Sequence, residues 1–258
     1  MNKKNIAIVT GASCGFGKEF VKLLVCDNSL DEIHVLARSN DKLEELKSEY
    51  GEKIKPYIID LSDVQNIKQF GQYIKNQNVN IKILINNAGY AKFCSYDDLN
   101  IDESLNMINL NISGVVAMGL VCIPFMSKDS HILNIASQAA FQPTPYMNIY
   151  GATKSFVKNY SQALNLELKD KEIHVTAVCP GWMKTNLYER GCIGAKKAVK
   201  RFMGMVNPDI VAKKALQDAY NNKDISIYGS HVKMCTLLAK LLPEKIIMKL
   251  WLLQQGIK

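Results

Sequence analysis

The sequence predicts a doubly wound α/β fold, in which a parallel sheet of seven strands is covered by helices on both faces. Short aliphatic runs alternate along the chain with longer amphipathic segments, an order typical of parallel strands joined by right-handed crossovers. Most of these runs are continuously apolar instead of alternating, as expected for strands that are buried on both sides.

Each element can be placed from its pattern. The strands are predicted at 6–10, 33–37, 54–59, 81–86, 131–136, 174–179 and, more weakly, 225–228. Helical periodicity occurs near 16–27, 40–50, 63–77, 101–126 and 147–170. No repeat, linker or change of composition divides the chain before about residue 185, so residues 1–258 are expected to form a single domain.

Composition excludes several classes of protein. The 258 residues are 48% hydrophobic and 22% charged, as in ordinary globular domains. No fully apolar run of about 18 residues is present, and the apolar run that follows Met1 is only about four residues long, so a cytoplasmic location is expected. The seven cysteines are an odd number without a C-x-x-C pair, which favours reduced thiols and no metal site.

The charge balance is basic, with 32 Lys and Arg against 24 Asp and Glu, or +8. Such a balance raises nucleic acids, anionic membranes and phosphorylated ligands as partners. The lysines are scattered, however, and only three of the basic residues are arginines. The one basic group, at 196–201, has no interleaved aromatic residues, so it is interpreted as a solvated helix face and no nucleic-acid partner is expected.

A glycine-rich turn follows the first predicted strand and opens a helix. It runs Thr10-Gly11-Ala12-Ser13-Cys14-Gly15-Phe16-Gly17. Glycines let the backbone turn tightly and approach a pyrophosphate, while the helix N-terminus offers free N–H groups and partial positive charge. The strand–turn–helix context therefore predicts a dinucleotide site.

The G-x-x-x-G-x-G spacing and five further segments resemble the short-chain dehydrogenase/reductase family, whose fold is of the Rossmann type. The segments follow in order across about residues 5–185: Asp60 after the third strand, Asn86-Asn87-Ala88-Gly89, Asn111, Ser137 with Tyr150-Gly151-Ala152-Thr153-Lys154, and Pro180-Gly181-Trp182-Met183-Lys184-Thr185. The resemblance implies a nicotinamide-dependent oxidoreductase that forms a homodimer or homotetramer.

The candidate catalytic residues are Asn111, Ser137, Tyr150 and Lys154. Four residues apart on a helix, Tyr150 and Lys154 share one face. A nearby ammonium, together with the positive nicotinamide ring of an oxidised cofactor, favours the phenolate and lowers a phenol pKa of about 10. Tyr150 can then exchange a proton with a carbonyl or alcohol oxygen. Ser137 is expected to hydrogen-bond that oxygen. The resemblance gives Lys154 a role in holding the nicotinamide ribose and Asn111 a role in a water relay, although Asn109 is an equally plausible side chain by composition.

The cofactor is expected to be NADP(H). Ala37 stands where an acidic residue would bind the ribose 2′-hydroxyl, and Arg38, which suits a 2′-phosphate, follows at once. Cys14 replaces a basic residue that many NADP-using relatives carry. The complete predicted cofactor site is Gly11, Ser13, Cys14, Gly15, Phe16, Gly17, Arg38, Ser39, Asp60, Leu61, Asn87, Ala88, Gly89, Tyr150, Lys154, Pro180, Gly181, Met183 and Thr185.

The substrate side is predicted in outline. By resemblance, residues at about 186–206 form a flap over the substrate. The candidate substrate residues are Phe93, Ser137, Tyr146, Tyr150 and Tyr188. Their apolar and aromatic character favours a bulky hydrophobic ketone or secondary alcohol, such as a steroid, a bile acid or a lipid-like carbonyl.

The C-terminal segment at about 230–253 is predicted to form two short amphipathic helices around Leu242-Pro243. These helices could cover the substrate pocket, form a subunit contact or lie on an anionic membrane. Two rival functions stay open: an NADP(H)-binding sensor without turnover, and a membrane-docked keto-lipid reductase.

Overall fold

Seven parallel strands form a single sheet. The computed structural model describes residues 3–196, 199 and 201–257. The strands are β1 Lys4–Thr10, β2 Glu32–Ala37, β3 Ile54–Ile58, β4 Val79–Asn86, β5 Ser130–Ile135, β6 Ile173–Val178 and β7 Ile225–Ser226. They lie side by side in the order β3-β2-β1-β4-β5-β6-β7, and every neighbouring pair is parallel. The predicted doubly wound α/β fold is confirmed.

Helices cover both faces of this sheet. They are α1 Gly15–Val25, α2 Asn40–Tyr50, α3 Val64–Lys75, α4 Ile101–Ile108, α5 Gly114–Cys122, α6 Asn148–Glu167, α7 Leu187–Gly191, α8 Pro208–Tyr220, α9 Ser230–Leu241 and α10 Glu244–Gln255. A π-helical turn, Asn109–Ser113, joins α4 to α5. The break between α9 and α10 falls at Leu242-Pro243, as predicted.

Helix α8 was missed in the sequence, although it packs against α1 and the sheet. Its buried face is largely alanine, with Ala212, Ala215 and Ala219 inaccessible to solvent. Alanine contributes little to a hydrophobic pattern, so the periodicity that reveals longer side chains is weak here. The predicted flap also differs, because only α7 is helical between 186 and 196. Of the basic group at 196–201, residues 197, 198 and 200 lie outside the described residues.

The two sides of the sheet carry separate cores. In β1, Ala7 and Val9 belong to one apolar cluster and Ile6 and Ile8 to the other, because successive side chains in a strand point to opposite faces. All four are inaccessible to solvent. This burial on both faces explains why the strand sequences are continuously apolar instead of alternating.

The segment Ile101–Phe125 is long and apolar enough, by length and composition, to cross a membrane. In this structure it forms the α4–α5 layer against the sheet. Its Met118 and Cys122 are buried in the same apolar cluster as Ile6 and Ile8. The apolar character of this helix is therefore accounted for on one side by packing within the fold.

Candidate active site

Ser137, Tyr150 and Lys154 meet beyond the carboxyl end of β5. Tyr150 is the third residue of α6, and the Lys154 Nζ atom lies 5.7 Å from the centre of its ring. That ammonium donates a hydrogen bond to the Ile135 carbonyl oxygen at 2.6 Å, which anchors it to the strand end. Ser137 hydrogen-bonds Tyr150 and also accepts from the Ala139 N–H at 3.1 Å. The sequence-predicted trio is thus assembled in one place.

The protonation states of this trio are set by burial. Burial raises the pKa of Tyr150 to about 12, although the hydrogen bond with Ser137 acts in the opposite direction. Burial also lowers the pKa of Lys154 to about 8. Desolvation therefore dominates the pKa of this phenol. The lowering expected from the ammonium together with an oxidised nicotinamide stays a prediction. At neutral pH Tyr150 therefore carries its proton, the state that a proton donor needs.

Asn111 lies in the π-helical turn between α4 and α5 and is completely buried. Its amide nitrogen donates to the Tyr90 carbonyl oxygen at 3.0 Å and to Thr153 Oγ1 at 3.1 Å, and its Oδ1 accepts from the Tyr90 N–H at 3.1 Å. A π-helical turn within an α-helix often marks a functional site. Asn109, the alternative, is exposed, so Asn111 is the asparagine that faces the site.

Gly89 lets the asparagine and the lysine come together. A Cβ atom at this position would lie 2.9 Å from Asn111 Oδ1 and 3.6 Å from Lys154 Nζ. The first distance is shorter than real Cβ contacts, so any larger residue would displace Asn111. The glycine of the predicted Asn-Asn-Ala-Gly segment is therefore required by close approach at this position.

The glycine-rich turn forms a cradle between β1 and α1. Gly11 has a left-handed φ of +62°, and a Cβ atom at Gly17 would lie 2.2 Å from the Gly11 carbonyl oxygen. Cys14 occupies the N-cap of α1 without a side-chain capping hydrogen bond, and the first turn holds no acidic residue. The first N–H groups of α1 are therefore open to an anion, as a dinucleotide pyrophosphate requires.

Thr10, which was not among the predicted site residues, ties this turn to the next strand. Its Oγ1 accepts hydrogen bonds from the N–H groups of Asn87 and Ala88 at 2.9 and 3.0 Å and donates to Ile85 O at 3.3 Å. The Asn87 amide in turn donates to Thr10 O and Gly11 O. The only signal in the sequence was a hydroxyl at the end of a central strand.

Arg38 stands at the end of β2, where the adenosine half of a dinucleotide would lie. Its side chain is 71% exposed, and its guanidinium lies 3.9 Å from Asp60 Oδ2. Burial opposes ionisation of Asp60, but hydrogen bonds from Ser62 and the charge of Arg38 bring its pKa below the ordinary value. Ser39 occupies the N-cap of α2 without a side-chain capping bond. This corner offers one cation and a free hydroxyl to a phosphate.

Two predicted cofactor residues can contribute only their backbones. Phe16 is 6% exposed and packs against Phe20, with ring centres 4.7 Å apart, and Leu61 is 4% exposed in the opposite core. Their side chains are directed into the protein. Ser13 is half-buried and Cys14 is exposed at the rim of the glycine cradle, where both are accessible.

The segment from Pro180 to Thr185 spans the distance from the catalytic trio to the glycine cradle. The Pro180 carbonyl oxygen accepts from the Gln138 N–H at 2.8 Å, next to Ser137. At the other end, a Cβ atom on Gly15 would lie 3.7 Å from the Thr185 side chain. Between them, the Met183 N–H donates to the Tyr188 hydroxyl at 2.8 Å. This segment therefore connects the two parts of the predicted cofactor site.

Aromatic rings cover Tyr150 on the substrate side. Phe93 contacts the Tyr150 ring edge-on, with centres 6.0 Å apart, and stacks on Tyr188 at 5.8 Å. Phe202 lies 4.6 Å from Tyr188 and 5.0 Å from Trp182. The predicted substrate residue Phe93 therefore contacts Tyr150, and Tyr188 stacks on Phe93. The sequence indicated Trp182 only as part of the segment from Pro180 to Thr185 and not as a substrate residue.

Tyr146 and Trp251 complete the rim of this aromatic cluster. Tyr146 packs beside it in a left-handed conformation, with φ of +66°, which is uncommon for a residue with a side chain. Trp251 of α10 stacks near Trp182 at 6.4 Å and donates to the Pro145 carbonyl oxygen at 3.0 Å. Trp251 was missed as a site residue, although its i, i+4 spacing from the apolar Ile247 marks a buried helix face.

Helix α10 is also hydrogen-bonded to the predicted flap. The Gln255 side chain accepts from the Arg201 N–H at 3.0 Å and donates to the Arg201 carbonyl oxygen at 3.1 Å. Because Gln255 and Ile247 are 6% exposed, this face of α10 is part of the protein interior. Helix α10 thus packs on the aromatic cluster, and a covering role over the substrate pocket stays a prediction.

Comparisons with known proteins agree with this geometry. The family model described as short chain dehydrogenase matches residues 5–191. The chain is 35% identical over 220 residues to a short-chain type dehydrogenase/reductase of Sinorhizobium fredii, across 83% of this chain and 84% of the relative. It is 31% identical over 252 residues to the very-long-chain 3-oxoacyl-CoA reductase of Macaca fascicularis, across 95% and 77%. A solved short-chain dehydrogenase from Sphingobium yanoikuyae in complex with NADPH matches 89% of each chain, with 26% identity and a TM-score of 0.76.

Proposed function

As a member of the short-chain dehydrogenase family, the protein is an oxidoreductase, and we propose that it reduces a bulky apolar ketone to a secondary alcohol with NADPH. The observation that carries this proposal is the assembly of Ser137, Tyr150 and Lys154 beyond the end of β5, with Phe93 edge-on against the Tyr150 ring. A protonated Tyr150 can donate its proton to a ketone oxygen.

Bound NADPH supplies the hydride that the carbonyl carbon receives. Tyr150 donates its hydroxyl proton to the carbonyl oxygen, and Ser137 hydrogen-bonds the same oxygen as negative charge develops there. Lys154, which donates to the Ile135 carbonyl oxygen in this structure, would hold the ribose and return a proton toward Tyr150. Asn111, buried between Gly89 and Thr153, positions the far end of this relay.

Arg38 supports the choice of NADPH over NADH. Its exposed guanidinium lies beyond β2, and the preceding residue is Ala37 instead of an acid that would repel a 2′-phosphate. A related solved structure, at 26% identity, holds NADPH. A planar guanidinium binds a phosphate by paired hydrogen bonds, which the 2′-hydroxyl of NADH cannot match.

The aromatic cluster and the relatives together support a lipid-like substrate. Phe93, Tyr188 and Phe202 pack together as an apolar cluster next to Tyr150. Side chains of this kind would suit a steroid, bile acid or long acyl chain better than a sugar. One relative is named for reducing very-long-chain 3-oxoacyl-CoA. We place 3-oxoacyl chains and cyclic lipid ketones first among candidate substrates.

The whole chain is proposed to act as one catalytic unit in the cytoplasm, with the aromatic cluster closed by the C-terminal helices. Exposed Leu105 and Leu120, 56% and 66% accessible, support a homodimer or homotetramer through the α4–α5 layer. The rival function, a sensor that binds NADP(H) without turnover, is disfavoured because Tyr150 and Lys154 are both present and in contact.

The proposed substrate class is tested with matched ketones. We expect NADPH consumption with long-chain 3-oxoacyl thioesters or steroid ketones and much slower consumption with a short polar ketone of equal reactivity. Phe202→Ala should reduce this preference while leaving the KM for NADPH unchanged, because Phe202 contacts Tyr188 and Trp182. Equal rates for long and short ketones would contradict the proposal.

A further inference from the structure

The exposed face of α9 is a stripe of apolar side chains. Met234, Leu237, Leu238 and Leu241 are 57%, 51%, 43% and 70% accessible. Their spacing of i, i+3, i+4 and i+7 places all four on one side of the helix. The opposite side carries Thr236, which is only 5% exposed. The stripe therefore faces away from the fold.

Helix α10 repeats this arrangement. Ile246, Leu250 and Leu253, at i, i+4 and i+7, are 45%, 51% and 71% accessible. The other face holds the buried Ile247 and Trp251 that close the aromatic cluster. One side of α10 thus covers the candidate substrate site, while its other side presents large apolar side chains to the surroundings.

Lysines border both stripes on one flank. Residues 230–255 contain Lys233, Lys240, Lys245 and Lys249 but a single acidic residue, Glu244. On each helix the lysines immediately precede stripe residues, so their long side chains lie beside the apolar face and not behind it. Apolar residues flanked by lysines are the composition of helices that lie in a membrane interface.

A groove of about 410 Å³ opens beneath this flank of α9. Its lining includes Lys214, Lys223, Lys233 and Lys240, with Phe141 among its apolar residues. The buried Asp218 pairs with Lys214 and Lys223, whereas in the described part of the chain Lys233 and Lys240 form no ion pair. The groove therefore keeps cationic donors for an anionic group.

We propose that the α9–α10 surface docks on an anionic membrane, with its apolar stripes in the headgroup region and lipid phosphates in the lysine-lined groove. The charges favour this occupant over a second copy of the chain. In a symmetric dimer the same patch meets itself, so the lysines of one protomer would face those of the other. An anionic membrane instead attracts each lysine that reaches its surface.

Docking through α10 also explains why the same helix covers the aromatic cluster. Trp251 and Leu250 are adjacent in the chain, one buried beside Trp182 and the other exposed. A substrate that resides in the bilayer would reach the cluster without crossing water. This consequence rests on the proposed lipid-like substrate, whereas membrane binding itself does not.

Vesicle co-sedimentation of the full-length protein tests the docking. We expect binding to vesicles of about three parts phosphatidylcholine to about one part phosphatidylglycerol, and weak binding to phosphatidylcholine alone. The double variant Lys233→Gln/Lys240→Gln should weaken binding by about tenfold or more, since each lysine near the surface contributes about fivefold. Leu241→Ser/Leu253→Ser, at positions 70% and 71% accessible, should also weaken it without unfolding the chain.

Matched variants elsewhere on the surface control for general charge and hydrophobicity. Lys68→Gln/Lys75→Gln on α3 and Leu166→Ser on α6, the latter 73% accessible, should bind vesicles as the parent does. Equal binding by all variants would overturn the proposal. The proposal would also be overturned if the parent protein did not bind vesicles and sedimentation velocity showed a dimer that Leu241→Ser/Leu253→Ser dissociates. No cofactor or ketone is present, so the result does not depend on the proposed reaction.

Discussion

The cofactor side and the substrate side of this site are held together by different forces. On the cofactor side, Thr10, Asn87 and Asn111 bind backbone atoms through hydrogen bonds of 2.9 to 3.1 Å. On the substrate side, Phe93 and Phe202 are positioned by ring contacts. Hydrogen bonds require particular residue types at particular places, whereas ring packing tolerates other apolar residues of similar size. Substitutions on the cofactor side should therefore reduce function strongly, whereas the substrate side should tolerate other apolar residues.

The largest effect is expected from Tyr150→Phe, which removes only the proton donor. Turnover should fall by about a thousandfold or more, because general acid catalysis is lost while the ring remains packed against Phe93. Steady-state kinetics with NADPH and a long-chain ketone measure kcat, and fluorescence titration should give an unchanged Kd for NADPH. A variant that turns over at the parent rate would remove Tyr150 from the mechanism.

Gly17→Ala should have the next largest effect, on cofactor binding. The added methyl group would lie 2.2 Å from the Gly11 carbonyl oxygen, so the turn must move. We expect NADPH affinity to fall by at least about tenfold and the free energy of unfolding by about 2 kcal/mol. Gly119→Ala is a fitting control, because its methyl group would meet two side-chain ends, the Tyr160 hydroxyl at 3.2 Å and Ile123 Cδ1 at 3.9 Å, and no backbone atom in the described part of the chain. Unchanged NADPH titration in Gly17→Ala would contradict the cradle.

The same contrast explains what could be foreseen from the sequence. The glycine turn and the Tyr150–Lys154 pair depend on residue types at fixed local spacings, and the structure brings them together as the sequence suggested. The covering role of Trp251 depends on α10 folding back over a loop 106 residues away in the chain, which no local pattern encodes.

The raised pKa of Tyr150 also could not be predicted from the sequence. Two residues four apart predict an ammonium near a phenol, but they do not report how completely both groups are buried. Tyr150 and Lys154 are 7% and 5% exposed, and this desolvation raises the pKa of the phenol. The helix α8 was missed for a related reason, since alanines that pack closely look neutral in a pattern.

Arg38→Ala should weaken the preference for NADPH over NADH. Loss of the guanidinium should raise the KM for NADPH by about thirtyfold and leave that for NADH within about twofold, because only NADPH carries the 2′-phosphate. Parallel kinetics with the two cofactors give this ratio. An equal change for both would show that Arg38 acts through Asp60, its neighbour at 3.9 Å, and not through a phosphate.

Lys154→Met should abolish activity and increase the free energy of unfolding at neutral pH. The pKa of the buried ammonium is lowered to about 8 from 10.5, so its charge opposes folding below pH 8. Between these values the unfolded chain binds a proton that the folded one lacks, and stability rises with pH. The lowering of this pKa costs the folded protein about 3 kcal/mol at pH 7, and the lost hydrogen bond to Ile135 offsets about 1 kcal/mol of that in the variant. The inactive variant should therefore be more stable at pH 7 by about 2 kcal/mol, and this advantage should shrink above pH 8. Urea unfolding at several pH values measures it; a variant less stable than the parent at pH 7 would contradict the burial argument.

The smallest effect is expected from a substitution on the substrate side. Trp251→Phe keeps an aromatic ring but removes the hydrogen bond to Pro145 O, worth about 1 kcal/mol. The KM for the ketone should rise severalfold while that for NADPH stays the same. If instead the two constants rose together, the division between a cofactor side and a substrate side would be wrong.

The most direct test of the account is NADPH oxidation by the purified protein with a panel of apolar ketones, run beside NADH and with Tyr150→Phe as the blank. The account predicts ketone-dependent oxidation of NADPH, slower oxidation of NADH and none in the variant. Tight NADPH binding without turnover of any long-chain or cyclic lipid ketone would contradict it and favour a nucleotide sensor.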